Sequence, residues 1–90
     1  MDYNVVAIVR VMPVSPETDR EKLKTEIGGK IPESMKIHKI EEEPIAFGLV
    51  ALNVFVLLND AGGGVEEIVD NIKGVEGVSE VDVTDVRRLL

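Results

Sequence analysis

No cysteine occurs anywhere in the 90 residues, which excludes disulfides, thiolate metal sites and cysteine nucleophiles and suits a reducing, cytoplasmic setting. Aromatic residues are nearly as scarce, with only Tyr3, Phe47 and Phe55 present. A core must then be built from Val, Ile and Leu, and an aromatic placed away from it needs an explanation. No apolar run approaches the roughly 20 residues that span a bilayer. The opening MDYNVVAIVRVMPVSPETDR lacks the basic-then-apolar plan of a signal peptide, so neither membrane insertion nor secretion is expected.

Positive charge is also short, with 10 Lys and Arg against 17 Asp and Glu and a formal net charge of −7. Gripping a nucleic acid backbone draws on Lys and Arg contacts to phosphates, so direct nucleic acid binding is not expected and a protein with a basic face is the expected partner. Acidity also simply aids solubility. His38 has no second imidazole near it, and Glu41, Glu42 and Glu43 match no calcium loop. Gly62, Gly63 and Gly64 precede a helical pattern without the Lys-Ser or Lys-Thr of a phosphate loop, and read as a turn. No cofactor, metal or covalent catalysis is expected.

What is present is periodicity. Apolar residues at the odd positions from Tyr3 to Val11 predict a strand over Tyr3 to Met12 with one buried face. Thr18 and Glu21 have capping-box spacing, Leu23 and Ile27 lie one turn apart, and Gly28 with Gly29 is the expected helix end. Lys36 to Glu43 reads as a charge-protected edge strand, and Leu49 to Leu58 as a central one. Val65, Ile68, Val69 and Ile72 predict a second helix ending at Gly74, and Val78, Val81 and Val83 a short last strand before the basic end. The order strand, helix, strand, strand, helix, strand predicts an α+β, ferredoxin-like split βαβ fold, a four-stranded antiparallel sheet with both helices on one face, formed as a single domain over residues 1–90. The uncovered face is an expected binding surface.

That fold hosts many functions, so each must bring its own residues. A metallochaperone needs a CxxC pair, and an RNA module needs aromatics on a basic face. An acylphosphatase needs an Arg in a phosphate loop, whereas Arg10 lies within a strand. Two segments stand apart. In Pro44-Ile45-Ala46-Phe47-Gly48 an aromatic sits between small residues at a turn, where it either closes the core or anchors a partner. In Val83-Thr84-Asp85-Val86-Arg87-Arg88-Leu89-Leu90 the paired arginines are either a solvated tail or a fixed cation held at a strand end.

With Glu43-Pro44-Ile45-Ala46-Phe47-Gly48-Leu49-Val50-Ala51-Leu52-Asn53-Val54 and Asp85-Val86-Arg87-Arg88-Leu89, the chain resembles the archaeal elongation factor 1-beta family along its whole length. The resemblance implies a guanine nucleotide exchange factor that promotes replacement of GDP by GTP on elongation factor 1-alpha. It implies that Phe47 contacts the GTPase's second domain, and the apolar Ile45 is expected to help hold the factor in register. In eukaryotic relatives a Lys next to the C-terminal residue reaches the GTPase's magnesium and phosphate region. Alignment on the Asp82-Val83 strand puts Arg88 there, with Arg87 in support. Arg replaces Lys here, and its wider planar fork prefers bidentate oxygen partners. The free factor is expected to be monomeric. The competing reading is a small regulatory domain that binds a ligand or a second copy of itself.

Overall fold

The alternation at the start of the chain becomes β1 (Val5–Pro13) in the computed structural model, which describes residues 3–59 and 64–89. Val5, Ala7, Val9 and Val11 are buried, while Val6, Ile8, Arg10 and Met12 between them are half-covered. The elements that follow are α1 (Arg20–Lys30), β2 (Lys36–Pro44), β3 (Val50–Leu58), α2 (Val65–Lys73) and β4 (Val78–Arg88). All ladders are antiparallel, in the order β2-β3-β1-β4. This is the expected ferredoxin-like arrangement, with β3 interior and β2 at the edge.

Both helices cover the same face. Leu23 and Ile27 of α1 and Ile68 and Ile72 of α2 are buried against Val9, Val11, Leu52, Val54, Val56 and Leu58. Each such side chain contributes about 1.5–3 kcal/mol on leaving water. No layer covers the other face among the described residues. Its apolar positions are partly roofed by long side chains, as where Lys39 Nζ lies 4.6 Å from the centre of the Phe55 ring.

Beyond shifts of one or two residues at the ends of β1, β2 and β3, three boundaries differ from the sequence expectation. Asp19 caps α1 in place of Thr18, its Oδ1 accepting from the Lys22 N–H at 3.2 Å. The Thr18 hydroxyl oxygen instead accepts from the Ser15 N–H at 3.3 Å. A carboxylate both bonds the free amides and complements the positive end of the helix, so the later cap wins. Gly28 and Gly29 do not end α1, which continues to Lys30. Asn71 Nδ2 donates to the Lys30 carbonyl at 3.1 Å, satisfying one of the acceptors that the helix end exposes. The last strand is not short: it runs through both arginines to Arg88, because β1 supplies pairing partners as far as Val5. Of the glycine turn, only Gly64 is among the described residues, and Asp60, Ala61, Gly62, Gly63 and Leu90 lie outside them.

Candidate functional site

The hairpin between β2 and β3 is closed by main-chain bonds from Ile45 N–H to Leu49 O and from Leu49 N–H to Ala46 O, both 2.9 Å. Its two central residues, Phe47 (φ 54°) and Gly48 (φ 81°), both have positive φ. That pattern belongs to type I′ hairpin turns, where Asn-Gly is the usual occupant. A side chain in this region costs roughly 1–2 kcal/mol. Gly48 is required there, since an added Cβ would also come within 3.3 Å of Pro16. Phe47 has no such need, yet it is 97% exposed. The hairpin thus holds an aromatic outward at a backbone cost that its own packing does not repay, a combination that marks functional turns.

Ile45 and Val14 stand exposed at the same end of the sheet. Val14 was not singled out by sequence. Val14 follows directly after β1, its N–H donating to Gly77 O at 2.9 Å, and the approach of Pro16 to Gly48 places this loop beside the hairpin.

The arginines lie at the other end. Arg88 is opposite Val5 and Arg87 opposite Val6, so strand alternation sends them to different faces. Arg87 belongs to the uncovered face, where its Nε donates to Asp85 Oδ2 at 2.5 Å. Arg88 belongs to the helix-covered side and borders a cleft of about 450 Å³ whose walls include Val5, Leu58, Val65 and Val86. The structure therefore brings Phe47 and Ile45 together, starts Arg87 and Arg88 from opposite faces of β4 while both border the one cleft, and puts the length of β3 between the two groups.

The face Arg88 occupies depends on an irregularity that the sequence does not announce. Ile8 pairs with Asp85 and Val9 with Val83, which leaves Thr84 as an extra residue in β4. Its hydroxyl donates to the Ile8 carbonyl at 3.3 Å. The bulge shifts every later residue by one step, so that Val86 and Arg88 share a side with Val83.

Charge elsewhere is structural. Glu42 on β2 meets Lys24 at 3.0 Å and Arg20 at 3.3 Å on α1. The hydrogen bond from Lys24 holds the Glu42 carboxyl below the usual carboxylate range, and those to Glu42 and Glu21 raise Lys24. Among the described residues no group of three or more His, Cys, Asp or Glu side chains is placed to hold a metal ion, and no helix is long and apolar enough to cross a membrane.

Comparison with known proteins shows the family. Residues 6–89 match the family described as the EF-1 guanine nucleotide exchange domain. Among curated proteins, the chain is 59% identical to an elongation factor 1-beta of Methanothermobacter thermautotrophicus over 87 residues, covering 97% of this chain and 98% of that one. It is 46% identical to the elongation factor 1-beta of Methanobrevibacter smithii, covering 96% and 97% of the two chains. For that of Thermococcus gammatolerans the identity is 40%, covering 98% of each. Among solved structures, the C-terminal domain of the MgtC protein from Mycobacterium tuberculosis superposes with a TM-score of 0.61 at 16% identity, covering 98% of this chain and 90% of that one. At that identity the likeness is one of fold alone.

Proposed function

Because this chain belongs to the EF-1 guanine nucleotide exchange domain family, in its archaeal elongation factor 1-beta branch, and promotes guanine nucleotide exchange, we propose that its partner is the GTPase elongation factor 1-alpha. Residues 1–90 act as a single exchange domain, monomeric when free and working in the cytoplasm, and make or break no covalent bond. An exchange factor without bond chemistry acts by differential binding, favouring the nucleotide-free GTPase over the GDP-bound one. Linkage makes this mutual: whatever ratio the factor takes from GDP affinity, GDP takes from factor affinity, and incoming GTP expels the factor.

The observation that carries the site assignment is Phe47, 97% exposed on a backbone with φ of 54°. With Ile45, and with Val14 at the same end, it forms an apolar anchor for one domain of the GTPase. Arg88 is the exchange residue at the far end, carrying a fixed cation toward the magnesium and phosphate region of another domain. Arg87 plays a supporting part, its Nε held by Asp85. Neither end requires a cofactor or metal held by this chain.

The experiment is stopped-flow release of fluorescent GDP from elongation factor 1-alpha with and without this protein. Acceleration that saturates with added factor supports the reading. A folded factor and an active GTPase that give no acceleration sink it.

A further inference from the structure

The hairpin that carries Phe47 reaches past the body of the sheet. β1 and β3 pair as far as Val11 and Leu52, whereas β2 and β3 go on pairing to Pro44 and Val50. The turn therefore stands at the end of a two-stranded overhang, and on the outer side of β2 there is no further strand among the described residues. A two-stranded ribbon has little stability of its own. This one also ends in a strained turn, with Phe47 at φ 54°, and such a backbone persists only where its surroundings fix it. An aromatic presented there needs a brace from outside the hairpin if it is to meet a partner in one orientation.

Pro16 supplies it. A Cβ added to Gly48 would lie 3.3 Å from Pro16 Cβ and 3.7 Å from its Cγ, so the ring closes on the bare backbone of the residue next to Phe47, an approach that only glycine permits. The loop that carries Pro16 is itself fixed. Val14 N–H ties it to Gly77 O at 2.9 Å, and Thr18 N–H donates to Ser15 O at 3.2 Å across a turn with Pro16 in its second position, where the ring presets φ. The side chains of Ser15 and Thr18 close the same turn, accepting from the N–H groups of Glu17 and Ser15. If Phe47 relaxed out of the left-handed region, Gly48 would shift against the ring and the contact would be lost. We propose that Pro16 is a positioning residue for docking: it braces Gly48 and so holds Phe47 in the orientation that the GTPase meets. This rests on the exchange reading above, with Phe47 as its anchor. An anchor held before binding has less freedom to lose on binding, so Pro16 acts on affinity through Phe47 and has no part in nucleotide release.

The test is a double-mutant cycle of wild type, Pro16→Gly, Phe47→Ala and the two together, measured as equilibrium binding to nucleotide-free elongation factor 1-alpha and as GDP release at saturating factor. Pro16 is exposed, and circular dichroism at the assay temperature confirms that each chain folds; where Pro16→Gly does not, Pro16→Ala takes its place in the cycle. Pro16→Gly is expected to weaken binding about three- to tenfold, the range set by ordering one freed side chain, with saturating release within about threefold of wild type. Added to Phe47→Ala it should weaken binding by less than about twofold, because no ring is left to hold. A purely structural loss would be the same in both backgrounds. A loss below about twofold in the wild-type background, a loss above about twofold in the Phe47→Ala background, or a larger fall in saturating release overturns the role of Pro16 while leaving the exchange reading intact. A wild-type chain that neither binds the GTPase nor speeds release overturns both together.

Discussion

Phe47 and Arg88 lie at opposite ends of the sheet, Phe47 in the turn that leads into Val50 and Arg88 opposite Val5, the neighbour of Leu58. The nine residues of β3 between those ends span about 26 Å at about 3.3 Å per residue. No single pocket on a partner can take both side chains. On the proposed assignment the two roles are separable, and substitutions at the two positions should act on different kinetic quantities.

At Phe47, stability and docking are set against each other. Phe47→Ala should weaken binding to the GTPase by about 2 kcal/mol, with GDP release at saturating factor little changed. Phe47→Gly should weaken docking equally but raise folding stability by about 0.5–1 kcal/mol, because glycine relieves the left-handed strain and returns part of that gain as chain entropy. Titration calorimetry and urea unfolding on the same two variants check both halves. A Phe47→Gly chain less stable than wild type would show that the ring supports the fold.

At the other end, Arg88→Ala should reduce maximal GDP release about tenfold or more while changing affinity less. Arg88→Lys should restore part of it, since the charge persists without the fork. Arg87→Ala, which frees Asp85 on the other face, should stay within about threefold of wild type. Single-turnover release across a factor titration separates the three. Equal losses from Arg87→Ala and Arg88→Ala would sink the division between faces.

The Glu42 ion pairs give a pH dependence of known sign. Hydrogen bonding from Lys24 lowers the carboxyl's folded-state pKa, so its contribution to stability is present above the ordinary value of 4.5 and is lost as pH falls through the lowered one. Lys24, raised by Glu42 and Glu21, contributes below its ordinary value and loses that contribution only in strong alkali. Glu42→Gln should therefore lower the urea midpoint at pH 7 by more than at acid pH, and by less at high salt, where partly exposed pairs are screened. A midpoint difference that grows on acidification would show that the carboxylate is not stabilising.

The core predicts the largest effects. Ile68→Ala or Ile72→Ala removes a fully buried side chain from between α2 and the sheet and should cost about 2–5 kcal/mol. Gly64→Ala should cost about 1–2 kcal/mol, because Gly64 has φ 110° and an added Cβ would collide with the Met35 methyl. Urea denaturation measures both. A Gly64→Ala chain as stable as wild type would mean that the start of α2 adjusts at no cost.

Much of this was legible in the residue order. Alternation in Val5–Val11 and Leu52–Leu58 and the spacing of Ile68 and Ile72 gave the sheet, its buried face and its helices, because burial follows the period of the backbone. The segment around Phe47 and the terminal arginines stood out for the opposite reason, as residues whose types local packing did not demand. Helix boundaries were less legible: Thr18 and Asp19 are both good caps, and the choice between them fell to which one left the better set of bonds. The carbonyl at Lys30 depends on Asn71, 41 residues away, a partner that no local rule can supply.

Sequence by itself thus determined the fold class, the family and the two segments to which the proposed site is assigned, since all three are written in local pattern and residue type. Only the tertiary structure decided which way those side chains face. The exposure of Phe47 follows from two consecutive positive φ angles, and the company of Val14 from a loop brought against Gly48. That Arg88 and not Arg87 takes the helix-covered side follows from the parity of a ladder with one extra residue at Thr84. Parity is a property of a pair of strands: a single inserted residue inverts the facing of everything after it, and neither strand alone records where the count slips.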